Sequence, residues 1–145
     1  MTITASQAAE WIAPRMKGWE DVPHTTNVLQ WYMNNKLCGI ATENGEIRGV
    51  ACVRFLEQAE DGLVPYKHEP SGQVTWVELV VSEAGGAVAS LFRILWDRYG
   101  KRPYVAYQRG LKNGRIRTYP VKMFEKMNVL SEGKMELHGR TKQCS

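Results

Sequence analysis

Two hydrophobic rhythms alternate along the chain. Ala8, Ala9, Ile12 and Met16 recur at helical spacing behind Thr4 and Gln7, a pair that resembles a capping box. The spacing predicts a helix from Ala5 to Met16, shortened or kinked by Pro14 and Gly18. A second helix is expected from Thr25 or Thr26 to about Asn35, with Val28, Leu29, Trp31, Tyr32 and Met33 spread around more than one side, as in a well-buried helix. The period then shortens to two. Leu37–Glu43 and Glu46–Leu56 read as strands joined by Asn44-Gly45, the preferred two-residue hairpin turn. Residues 57–72 are polar and broken by Gly62, Pro65, Pro70 and Gly72, which predicts a long mobile loop.

The apolar pattern resumes in Val74–Val81, a run of β-branched and aromatic residues. Simple alternation puts Val74, Trp76, Glu78 and Val80 on one face and Thr75, Val77, Leu79 and Val81 on the other. Both faces are mostly apolar, which marks a central strand and makes Glu78 conspicuous. A carboxylate in that setting needs a partner, a raised pKa or an opening into a cleft. An amphipathic helix follows from Ala87 to Tyr99, with Val88, Leu91, Phe92, Leu95 and Tyr99 as its stripe and Gly100 as its stop. Further strands are expected at Pro103–Gln108 and Arg115–Tyr119. A short helix should open at Pro120 and run to about Met127, and residues 128–145 form a polar tail with a short strand near Lys134–Leu137. The order predicts one α+β domain over 1–145, with a mixed, mostly antiparallel twisted sheet flanked by helices.

Composition narrows the classes. With 43% apolar and 23% charged residues the chain is an ordinary globular protein. It holds no run near the roughly 20 apolar residues needed to span a bilayer. Its first residues lack the charge-then-apolar order of a signal peptide, so a cytoplasmic location is expected. Cys38, Cys52 and Cys144 are too few and too scattered for a disulfide framework, and no Cys/His spacing points to zinc or another metal. Charge is lopsided: residues 1–97 carry 7 Lys and Arg against 12 Asp and Glu, net −5, whereas residues 98–145 carry 12 against 3, net +9. A basic third of this kind attracts an acidic protein, a phosphate-bearing molecule or nucleic acid, or is simply a solvated face.

The candidate chemistry is spread over four places. His24 has a side chain suited to general-base work, and the plainer reading is a helix cap or a loop position after Pro23. Glu78 is a functional carboxylate or one half of a buried ion pair with Arg54 or Arg109. Ser82, Gly85 and Gly86 lead into a helix N-terminus whose N–H groups could receive a pyrophosphate, although Glu83 would repel one. Arg109, Lys112, Arg115, Arg117 and Tyr119 interleave basic and aromatic residues that could grip a phosphate or stack on a base; the alternative is a charged edge strand that resists aggregation. His68 and His138 are expected to face solvent, and Trp11, Trp31, Trp76 and Trp96 to build the core.

The order of these features resembles the GNAT-like acyltransferases, and within them the toxin-activating lysine acyltransferases. Trp11 and Trp19 precede His24, and Asn27-Val28-Leu29 follows it. Then come TENGEIRGVACVRF, TWVELVV and GGAVASLFRILWDRYG, the likeness running over residues 8–127. The family has a serine where this chain has Asp21, and aspartate is usual where this chain has Glu78. The resemblance implies a sheet splayed beside the strand of Glu78, with His24 matching the catalytic histidine and Glu78 the strand carboxylate. It further implies transfer of an acyl group from a thioester donor, an acyl carrier protein or acyl-CoA, to an amine, with an acidic acyl carrier or a protein substrate as partner. The alternative is a non-catalytic binding or assembly module, of a kind a phage could encode, acting through the basic C-terminal surface. Nucleic-acid binding is a third reading.

Overall fold

The computed structural model describes residues 2–83, 87–108, 114–128 and 136–138. Along these the elements run α1 (Ala5–Ile12), α2 (Val22–Asn34), β1 (Cys38–Glu43), β2 (Glu46–Leu56), a 3-10 turn (Ala59–Leu63), β3 (Val74–Ser82), α3 (Ala87–Tyr99), β4 (Tyr104–Gln108), β5 (Ile116–Pro120), α4 (Val121–Asn128) and β6 (Glu136–His138). The strands form one sheet in the order β5-β4-β3-β2-β1-β6. Every neighbouring pair is antiparallel except β3 with β4, which are joined through α3 and run parallel.

Local chemistry accounts for most of the boundaries. Thr4 and Gln7 make the reciprocal capping box, so α1 starts where expected, but it ends at Ile12, ahead of Pro14. Helix α2 begins three residues earlier than Thr25, because the Asp21 side chain accepts from the His24 N–H and Pro23 sits in the first turn. Asn44 and Gly45 both take positive φ, 54° and 80°, as a tight turn matching the twist of β1 and β2 demands. Gly100 closes α3 with φ 90°.

Helix α3 covers one face of the sheet. A side chain at Gly39 would touch Leu91 and Ile94, and the Trp96 indole N–H donates to Thr75 at 3.3 Å. Phe124 of α4 packs edge-on against Phe92 of α3, extending the same layer. Helices α1 and α2 pack together over the other face, where Tyr32 meets Arg54. Trp76 is buried in the core, whereas Trp11, Trp31 and Trp96 pack against it half-exposed.

The expected alternation of β3 fails at one point. Cys52 of β2 faces Leu79 and Val53 faces Val77, so Glu78 is an extra residue with no partner across the ladder, a β-bulge. Directly opposed residues share a face. Leu79 and Val81 therefore join Trp76 on the α1/α2 side, and Val80 turns to the α3 side, where it packs with Leu91 and Ile94. The segment 57–72 also differs from a mobile loop: its 3-10 turn and the carbonyls that follow are tied to the sheet by Arg54. No helix among the described residues is long and apolar enough to cross a membrane.

Candidate functional site

The ladder between β3 and β4 pairs Val74 with Tyr104 through Val77 with Tyr107 and goes no further among the described residues. Glu78 follows immediately, at the bulge, and Gln108 continues β4 on the other side. Between them opens a half-open cleft of about 560 Å³, a size typical of small-molecule sites. Its walls come from α2 and the turn before it (Trp19, His24, Val28, Tyr32), from the 57–72 segment (Gly62, Leu63, Pro65, Tyr66) and from the sheet (Arg54, Trp76, Glu78, Gln108).

Arg54 organises the floor of this cleft. Its side chain is 1% exposed, and all five N–H donors are used. Nε donates to the Tyr32 hydroxyl at 2.8 Å, Nη1 to the carbonyls of Val64 at 2.8 Å and Lys67 at 2.9 Å, and Nη2 to the Gly62 carbonyl at 2.7 Å and Glu78 Oε1 at 2.8 Å. Tyr32 in turn donates to Glu78 Oε1 at 3.0 Å, and the Trp76 indole N–H reaches the same oxygen at 3.4 Å. Burial and the neighbouring Glu78 charge hold the Tyr32 phenol far above its ordinary pKa, so it stays a donor. All three bonds fall on Oε1. Oε2 takes none of them, and the side chain keeps 30% of its surface exposed at the cleft.

The expectation that Glu78 pairs with an arginine is met by Arg54. His24 and Glu78 line the same cleft, but the carboxylate hydrogen-bonds Tyr32, Arg54 and Trp76, not His24. His24 sits in the first turn of α2 with an exposed side chain, its backbone N–H bonded to the Asp21 cap. His68, expected to face solvent, is half-buried. Its Nδ1 accepts the Phe55 N–H at 3.1 Å, and burial reinforced by the Arg54 charge lowers its pKa.

The other predicted residues lie elsewhere. Ser82 pairs with Gly49 at the end of β3 and is not part of the cleft wall. Gly85, Gly86, Arg109 and Lys112 lie outside the described residues. Glu83 is held by Arg15 at 2.7 Å and Arg48 at 3.3 Å, and the Arg15 bond lowers its pKa. Arg115 is exposed just before β5. Arg117 pairs across the ladder with Tyr107, and Tyr119 stacks on Tyr107 at 6.0 Å. Tyr107 alternates with Ala106 and Gln108, which belong to the Trp76 cluster and the cleft, so Arg117 and Tyr119 occupy the opposite face of the sheet. The basic strand is therefore not the mouth of this cleft.

Sequence reasoning picked out Glu78 and His24 but missed Tyr32, Gln108 and the aromatic walls Trp19 and Tyr66. The signal for Tyr66 was available only weakly, as an aromatic among prolines and charges. Tyr66 adopts φ 62° and packs its ring 4.8 Å from Trp31. Among the described residues no group of three His, Cys, Asp or Glu side chains could hold a metal. Compared with known proteins, the chain matches no family model and no curated sequence.

Proposed function

We propose that the chain is a GNAT-like acyltransferase that moves an acyl group from a thioester donor, an acyl carrier or acyl-CoA, to an amine. One observation carries the reading: a parallel strand pair whose ladder stops beside a bulged glutamate, opening a cleft that His24 also lines. In this reading the acceptor amine enters between Trp19, Tyr66 and Trp76 and gives a hydrogen bond to Oε2 of Glu78, the oxygen that takes no bond from Tyr32, Arg54 or Trp76. The nitrogen of the neutral amine attacks the thioester carbonyl, His24 accepts the nitrogen's proton, the carbon–sulfur bond breaks, and His24 passes that proton to the departing sulfur, so the thiol leaves neutral. Arg54 and Tyr32 hold the carboxylate in place, so little reorganisation accompanies the reaction.

The test is thiol release from acyl-CoA and acyl carrier thioesters in the presence of a panel of primary amines, with the amide identified by mass. His24→Ala should lose about 10²–10⁴-fold in rate, the range for a positioned base, while its melting curve stays that of the parent. No amine-dependent release from either donor sinks the proposal.

A second reading rests on the completeness of the Arg54 contacts. A guanidinium with every donor satisfied by a loop, a tyrosine and Glu78 is also what a purely structural brace requires. On that reading the protein is a non-catalytic binding or assembly module. Its basic residues would meet an acidic partner, and the cleft variants would leave that binding unchanged. Binding to nucleic acid through the same residues would weaken steeply with salt; a flat response eliminates it.

A further inference from the structure

Cys38 of β1 and Cys52 of β2 are directly opposed in the ladder. Val53 donates its N–H to the Leu37 carbonyl at 3.0 Å, which makes Leu37 and Val53 a hydrogen-bonded pair and Cys38 and Cys52 the next, non-hydrogen-bonded pair. In such pairs the Cα atoms stand about 4.5 Å apart and the side chains are at their closest, inside the roughly 4.4–6.8 Å range that a disulfide spans. Both thiols project to the same side of the sheet. It is the side opposite α3, because the intervening Gly39 faces Leu91 and Ile94.

The two sulfurs differ in access. Cys52 is buried, and burial together with the hydrogen bond and charge of Cys38 holds its thiol well above the ordinary pKa. Cys38 is half-buried, packs at the margin of the core and donates a weak 3.9 Å bond to the Gly39 carbonyl. Cys52 also lies near the cleft floor, within electrostatic reach of Tyr32 and Glu78. Cys52 opposes Leu79, the residue after the Glu78 bulge, and sits two residues before Arg54 on the same strand face.

We propose that Cys38 and Cys52 form a dithiol modification site that a low-molecular-weight disulfide converts to a cross-strand disulfide. The Cys38 thiolate attacks one sulfur of the reagent, the reagent's S–S bond breaks, and one thiolate leaves. That leaving thiolate takes up the Cys52 proton. The Cys52 sulfur then attacks Cys38 Sγ in the mixed disulfide and expels the second thiol. Two protein thiols are oxidised by two electrons, and one reagent disulfide is reduced to two thiols. The site is independent of the acyl-transfer reading, since it needs only the register of β1 and β2.

The experiment treats the full native chain with oxidised glutathione in non-denaturing buffer and follows intact mass and a non-reducing peptide map. The expected product is a monomer lighter by two hydrogens, with Cys38 and Cys52 in one linked peptide pair, formed at a rate independent of protein concentration and reversed by dithiothreitol. A Cys144→Ser chain should give the same product, and a Cys52→Ser chain should stop at a glutathione adduct on Cys38. A link involving Cys144, a disulfide-bonded dimer, an adduct on Cys38 of the native chain that never closes, or no reaction at all overturns the proposal.

Discussion

Replacing Arg54 with methionine tests the brace beneath the cleft. The substitution keeps the length of the side chain and removes all five donors. Glu78 then loses its ion-pair partner, Tyr32 loses one of its two hydrogen bonds, and the carbonyls of Gly62, Val64 and Lys67 lose their common donor. Removing one member of a buried pair costs about 3–5 kcal/mol. Glu78 keeps 30% of its side chain exposed, so water recovers part of that loss. The orphaned carbonyl of buried Gly62 adds back about 1–3 kcal/mol. The balance is a destabilisation of about 4 kcal/mol. An unfolding entropy of about 2.1 cal/mol/K per residue over 145 residues makes that a fall of roughly 13 °C in melting temperature. Urea unfolding gives the free energy, and limited proteolysis reports the 59–67 segment, which should become the first site of cleavage. Arg54→Met combined with Glu78→Leu removes both charges and should regain at least half of the loss. An Arg54→Met chain within about 1 kcal/mol of the parent, with the segment no more cleavable, would refute the idea that this arginine carries the loop.

Two further predictions follow from neighbouring residues. A Cβ at Gly62 would overlap the Trp76 indole ring, so Gly62→Ala should cost about 1–3 kcal/mol through overpacking and change the tryptophan emission; an unchanged urea midpoint counts against the packing described. His68 has its pKa lowered from the ordinary 6.5 by burial and by Arg54. The unfolded chain therefore binds the proton at higher pH than the folded one, and the stability present above 6.5 declines as pH falls through the window below it. Protonating Nδ1 would also break its bond from Phe55. His68→Gln should flatten the change in urea midpoint between about pH 7.5 and 5.5; equal slopes in the two chains would show that His68 does not contribute.

Where a structural decision is local, the sequence announces it. Asn44-Gly45 can turn back within two residues because both tolerate positive φ, so the hairpin is visible without its partner strand. Helix α3 keeps its glycine stop, and its ends, Ala87 and Tyr99, coincide with the expected ones. Glu78 is conspicuous by being acidic in an apolar run, and Arg54 is one of the two partners that the residues propose for it. What stays hidden depends on a second segment. The start of α2 depends on whether Asp21 caps across a proline. The bulge depends on the register between β2 and β3. The order in 57–72 comes from carbonyl groups, which no side-chain pattern displays, meeting a guanidinium from another strand. His24 and Glu78 are separated by the rest of α2, the whole hairpin and the 57–72 segment, and only the packing of α2 over the sheet brings both to one cleft.

The unpaired position in β3 also sets the parity of everything after it. Upstream, odd-numbered residues look toward α3; downstream, even-numbered ones do. Excising that one amino acid would remove the carboxylate and the bulge together: Leu79 would follow Val77 directly, stay opposite Cys52, and leave Val80 beside Leu91 and Ile94. Pairing Glu78 regularly with Cys52 would instead turn Leu79 and Val81 toward α3 and Val80 away from it. The acidic residue is thus an insertion that the sheet tolerates only because it stays out of the ladder.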